Sequence, residues 1–212
     1  MASDELPRTV TVSAAGTVAA DPDMAYVQSG VTTEAPSARE ALDANSAATR
    51  NLIDGLKALG LTAKDIETTT FAVNPVYDYS RDGKPPRLTG YGVTNEVRIT
   101  VRDLPRLGEL LDKMVSLGAN QMRGLSFEVS TAETLRDEAR RAAIANARRR
   151  ADLYAEATGA KVGQVVTISE ETAHVPFAPK AAMARSAAAE AVPIEAGQAQ
   201  LEARVTVTWE LN

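Results

Sequence analysis

The sequence predicts an α+β fold, with largely antiparallel sheets packed against one long alanine-rich helix and two shorter helices. Three observations carry this. From Ser130 to Gly159 the chain has helical periodicity, with Leu135, Ala139, Ala142, Ala143, Ala147, Leu153, Tyr154 and Ala157 on one side. Arg141, Arg148, Arg149, Asp152 and Glu156 fall on the other side. Several segments alternate apolar and polar residues with period two, most cleanly from Leu201 to Leu211. Two further helical stretches, near 37–60 and 103–118, end in glycine. Because the apolar side of the long helix is mostly alanine, a sheet face can approach it closely.

The elements follow in order. Val10, Val12 and Ala14 alternate with threonine and serine, a half-buried strand over Arg8–Gly16. Asp21-Pro22-Asp23 is a turn, since proline presets φ and aspartate accepts local hydrogen bonds. Read as a cation site it lacks a third carboxylate at ligand spacing. A second strand runs from Ala25 to Thr33. Ser37-Ala38-Arg39-Glu40 has the form of a capping box and opens a helix to about Leu59, with Ala41, Leu42, Ala48, Leu52, Leu56 and Leu59 inward. A strand from Lys64 to Tyr79 follows, with Phe71, Val73, Tyr77 and Tyr79 on one face; Pro75 places its far end at an edge or a bulge. The loop 80–86 returns the chain into a strand where Tyr91, Val93, Val97, Ile99 and Val101 alternate with polar residues, and Asn95 interrupts the apolar series. These two strands are expected to form a long hairpin.

Asp103 and Pro105 open the next helix, whose stripe is Leu107, Leu110, Leu111, Met114 and Leu117. Leu125, Phe127 and Val129 form a strand leading to the long helix, where Ser130-Thr131-Ala132-Glu133 offers a second capping box. Another strand spans Val162–Glu170. Thr172 to Gln200 is rich in alanine, carries Pro176, Pro179 and Pro193, and reads as a long loop with a helical turn at 181–191. A strand–helix–strand pattern recurs at Val27–Phe71 and Phe127–Ile168, each helix holding an asparagine on its alanine face, Asn45 and Asn146. This echo points to a duplicated β-α-β unit.

Composition narrows function more by exclusion. The 212 residues are 44% hydrophobic and suit one domain, 8–212, with 8–102 and 103–212 as its possible sub-units and 1–7 as a disordered or added lead. A net charge of −5 argues against nucleic acid as the main partner. Without cysteine, the chain has no disulfide, no thiolate chemistry and no Cys-ligated zinc. No apolar run reaches the roughly 18–20 residues of a membrane-spanning helix. The first seven residues hold no hydrophobic core of a signal peptide.

Chemistry-bearing motifs are scarce. His174 is the single histidine, with no orienting partner beside it in sequence, and reads as a solvated loop residue. No serine lies in a nucleophile elbow, and Gly90-Tyr91-Gly92 is too short for a phosphate loop. No catalytic residue, cofactor site or metal site is therefore expected. Arg148-Arg149-Arg150 is split by helical geometry, the first two facing solvent and Arg150 nearing the alanine face. Asn146 and Arg150 both project toward the core side, where an unpaired polar group would cost about 1–3 kcal/mol. They are expected to pin the helix to the sheet in one register. Tyr77, Tyr79 and Tyr91 flank the proline loop, which suits either a protein interface or packing of the hairpin on itself. The candidate structural and interaction residues are thus Asn146, Arg150, Tyr77, Tyr79, Tyr91 and Asn95.

Taken together, several segments resemble the SIMPL-domain family, the bacterial YggE-like or periplasmic-immunogenic-protein-like group. They are Val10–Val18 with Pro22–Ala25, Thr70–Tyr77, Gly90–Asn95, Leu125–Phe127, Leu153–Gly159 and Pro193–Gly197. Each is weak alone; their order and spacing are specific. The resemblance implies an α+β protein of the bacterial periplasm or cell envelope, often self-associating, with no established catalytic residues. Some relatives are linked to stress tolerance or known as surface antigens. It therefore implies a homo-oligomer with envelope protein partners. A small-molecule or lipid-binding module, with a pocket between the long helix and the sheet, is the alternative.

Overall fold

The computed structural model describes residues 8–79, 85–171 and 194–212. The lead 1–7, residues 80–84 of the proline loop, and 172–193 with His174 and the expected helical turn lie outside the described residues. In chain order the elements are β1 (Thr9–Ala20), β2 (Met24–Ala35), α1 (Ala38–Ala58), β3 (Ile66–Asp78), β4 (Arg87–Val101), α2 (Leu107–Ser116), β5 (Gln121–Glu128), α3 (Ala132–Ala157), β6 (Val162–Glu171) and β7 (Ala199–Leu211). Short 3₁₀ turns at Ala63–Asp65 and Leu104–Arg106 precede β3 and α2. Gly60, Gly118 and Gly159 follow the three helices with φ of 100°, 104° and 73°, the left-handed stop that glycine tolerates.

Instead of dividing at residue 102, the chain forms two units, one set inside the other in sequence. Unit 2 is Asp23–Glu128, joined by Ile194, which packs on its core. Unit 1 takes the chain before Asp23, from Val129 onward, and again from Gly197.

Unit 2 holds an antiparallel sheet in the order β3-β4-β2-β5. Its helix-side face supplies Ala25, Val27, Val31, Val97, Ile99 and Val101 to a core completed by Leu52 and Leu56 of α1 and by Leu107, Leu110, Leu111 and Met114 of α2. Pro75 lies on the edge strand β3, where no ladder bond is lost, beside a register shift at Val76/Tyr77. Unit 1 holds a three-stranded antiparallel sheet, β1-β7-β6. Val12, Ala14, Val205, Val207 and Trp209 meet Ala143, Ala147 and Ala151 of α3.

The duplication is one of topology, and its first strand differs from the one the sequence suggests. β5 pairs with β2 in unit 2, so it does not open the second repeat. The strand that does is β1. In each unit a strand, a helix and a two-stranded hairpin follow one another, and the last strand lies between the other two: β2-β4-β3 and β1-β7-β6. In unit 1, the whole of Asp23–Glu128 intervenes between that first strand and its helix.

The buried line of α3 also departs from expectation. Ala139, Ala143, Ala147, Ala151 and Ala155 are buried, whereas Leu153 and Tyr154 are 59% and 54% exposed and Ala157 is exposed. The physical reason is proximity. A Cβ on Gly16 of β1 would lie 2.2 Å from the Ala139 carbonyl oxygen and 2.4 Å from the Ala143 nitrogen. At that approach only the methyl groups of one every-fourth-residue ridge fit between helix and sheet.

Candidate functional site

The expected polar pair on α3 reaches the edge strand β1. Asn146 Nδ2 donates to the Ala15 carbonyl at 3.0 Å, and Arg150 Nη1 to the Ser13 carbonyl at 3.1 Å. Which carbonyls these are follows from the ladder. Leu211 N donates to Arg8 O at 2.8 Å, and β1 pairs with β7 without a register break. Even-numbered residues of β1 therefore exchange bonds with β7, and odd-numbered ones turn their N–H and C=O groups to the open side. Ser13 and Ala15 are odd. Two side chains one helical turn apart thus occupy successive free acceptors along that edge.

Unit 2 has a counterpart. Asn45 of α1 is buried and donates both amide hydrogens, to Val31 O at 2.9 Å and Val93 O at 3.0 Å, while its Oδ1 accepts from Thr49 Oγ1 at 3.4 Å. Asn120 does related work beside β5. Its side chain accepts from Thr32 N and donates to Thr32 O, both at 2.8 Å, imitating one more residue of the ladder.

The tyrosines separate. Tyr77 and Tyr79 pair with ring centroids 6.4 Å apart, whereas Tyr91 sits half-buried in β4, in register with Pro75 and Ala35. Phe71, Val73 and Leu88 are exposed around the same hairpin. Asn95 lies in register with Val31 and Phe71, and its buried Oδ1 has no hydrogen-bond partner among the described residues.

Three charged groups escaped the sequence reading. Glu96 is buried, ion-paired to Arg123 at 2.6 Å and accepting from Gln28 Nε2 at 3.3 Å. An alternating strand signals such a position only as polar. Asp65 is buried and bonded by the Thr62 hydroxyl and by Arg102; these bonds, the Thr62 hydroxyl foremost, hold its carboxyl down at about 2. Arg140 gathers Glu133, Asp137 and Glu170 at 2.7, 2.8 and 3.0 Å, which raises its pKa and lowers that of Glu133.

Apart from Asn95 Oδ1, these buried and pinning polar groups are bonded to backbone groups or to one another. Among the described residues, no three histidine, cysteine or acidic side chains converge as a metal cluster would. The pocket imagined between the long helix and its sheet is not formed where Gly16 meets α3, because the two backbones close on each other there. Nor is any helix among the described residues long and apolar enough to cross a membrane.

The two units share one strand–helix–hairpin plan, an antiparallel sheet packed with helix, which defines an α+β class of protein. The chain belongs to the SIMPL family, described as a protein of unknown function (DUF541), whose model matches residues 10–209. It is 34% identical over 214 residues to the 26 kDa periplasmic immunogenic protein of Brucella melitensis, covering 97% of this chain and 86% of that one. It is 30% identical over 218 residues to the uncharacterized protein YggE of Escherichia coli K12, covering 99% and 87%. With YggE of Edwardsiella ictaluri it shares 32% over 166 residues, covering 77% and 69%. None of these names states an enzymatic activity.

Proposed function

We propose that this chain is a non-enzymatic protein of the periplasm or cell envelope that works through self-association and protein contacts. The compartment comes from the name of the Brucella relative. The carrying observation is β6. It is an edge strand of ten residues, exposed along nearly its whole length, with Val165, Val166 and Ile168 at 50%, 51% and 56% exposure. An uncovered edge with apolar side chains is a template for another strand. The opposite edge of the same sheet is treated differently, since Asn146 and Arg150 occupy its free carbonyls. A second copy adding its own β6 antiparallel would pair both edges at once and close as a two-fold contact.

Light scattering coupled to size exclusion at micromolar concentration tests the reading. The expected mass exceeds that of one chain, and the double variant Val166→Lys, Ile168→Lys is expected to fall to the monomer mass with its melting temperature kept. A wild-type chain that is strictly monomeric would sink the proposal. A contribution to envelope or oxidative stress tolerance belongs to the same reading, and the double variant should then fail to complement a deletion strain.

A further inference from the structure

A hollow of about 530 Å³ lies on the face of the unit 2 sheet that carries its alternate, polar residues. Its lining includes Tyr26 and Gln28 of β2, Arg98 of β4, and Gly124, Ser126 and Glu128 of β5. Gly124 is the informative member. Glycine inside a strand costs roughly 0.5–1 kcal/mol relative to alanine, so its presence needs a cause. Conformation is not the cause, since Gly124 is not among the glycines with positive φ. Nor is crowding, because a Cβ there would meet nothing within 4 Å among the described residues. The register shift opposite Gln28/Ser29 leaves Arg123 as the extra residue and does not place Gly124 in the left-handed conformation that would call for glycine. Among the described residues the space above Gly124 is open, and it suits the close approach of something else.

We propose that this hollow is a binding site for a short neutral saccharide. The lining carries one guanidinium and one carboxylate, so its net charge is zero and it holds no excess of either sign to draw in an ion. Among the described residues Arg98 has one loose partner, Glu67 at 3.6 Å, which leaves N–H groups to donate. Gln28 has one amide hydrogen on Glu96, which orients the rest of the amide. Guanidinium, amide and carboxylate are planar groups that meet adjacent ring hydroxyls in pairs, and the Tyr26 ring offers a face for sugar C–H groups. Arg98 is in register with Gln28 and Gly124, while Glu128 is in register with Met24. The Cα atoms that carry the two charges therefore stand two strands and four residues apart, roughly 16 Å by strand geometry. That span exceeds one amino acid's own charges and suits two or three pyranose rings. A volume in the range of ordinary ligand sites agrees with this.

Amide chemical shifts, followed while chitobiose, maltotriose and tetraglycine are added separately, test the assignment. Saturable shifts at Gln28, Gly124 and Ser126 with a saccharide are expected, and Gly124→Val should weaken that binding about tenfold or more. The variant's melting temperature should hold or rise, because valine favours a strand and has room. A fall in melting temperature would return Gly124 to a structural role and overturn the proposal. So would saturation by tetraglycine alone, or no saturation by either saccharide up to about 10 mM.

Discussion

Unit 1 and unit 2 share a chain path and differ in how they fill it. In unit 2 two helices lay leucine and methionine over the valines and Ile99 of the sheet, and the core is thick. In unit 1 a single helix lies on the sheet through alanine methyls, with Trp209 the largest side chain of that cluster among the described residues. The difference teaches that topology does not dictate interlayer distance. Side-chain volume along one helix ridge does, and a thin interface tolerates far less added volume than a thick one.

The sharpest break of that comparison is Gly16→Val. At 2.2 Å from a helix carbonyl the new Cβ meets backbone, which cannot rotate away. Overpacking by flexible side chains costs about 1–3 kcal/mol, and this substitution should exceed that range and unfold unit 1. Hydrogen exchange that rises in β1, β7 and α3 while staying low in β2 and β4 is the expected result. Uniform protection in the variant would mean the helix can lift without loss.

The asparagines sharpen the comparison next. Asn45 is buried and makes two backbone bonds, whereas Asn146 is half-buried and makes one. Asn45→Ala should cost about 1–3 kcal/mol, because two carbonyls lose their donor inside the core. Asn146→Ala and Arg150→Ala should each cost about 0.5–1.5 kcal/mol. Chemical denaturation gives all three values. If both α3 variants match the wild type, these side chains do not pin the helix.

An acid-dependent difference is expected from Asp65 in unit 2. Its folded-state pKa, about 2, lies below the ordinary 3.8, so its contribution is complete above the unfolded value and lost as pH falls through the folded one. The size is about 1–2 kcal/mol. Asp65→Asn should therefore melt below the wild type at pH 7, and the gap should close between about pH 4 and 2. A gap that stays constant over that window would remove Asp65 from the acid response.

Much of this was legible locally. Periodicity placed the helices and strands because each depends on neighbours within a turn or a pleat. Angle along the helix puts Asn146 and Arg150 one turn apart, within reach of β1, although Arg150 is exposed and not on the core side. What depended on partners far along the chain was not. β5 sits next to α3 in sequence and reads as its first strand, yet it pairs with β2. Leu153 and Tyr154 outweigh alanine on any hydrophobic scale, yet the close approach at Gly16 admits only methyl groups. Glu96 read as one more outward polar residue, since nothing nearby in sequence announces Arg123 above it.

The smallest effect compares how the two repeated helices begin. Both Ser37-Ala38-Arg39-Glu40 and Ser130-Thr131-Ala132-Glu133 carry the capping-box pattern. The first closes, whereas α3 starts one residue later than that pattern, with Thr131 at its N-cap. Ser37 is extended, φ −122° and ψ 150°, so its Oγ accepts from Glu40 N at 3.3 Å while Glu40 Oε2 accepts from Ser37 N at 3.2 Å. Thr131, at the N-cap of α3, has φ −96° and ψ 21° and makes no side-chain cap bond. Glu133 is bonded by Arg136 and Arg140. Ser37→Ala should cost about 1 kcal/mol and Thr131→Ala almost nothing. Equal losses in chemical denaturation would mean that the matching sequence, and not the backbone angle, governs the start of each helix.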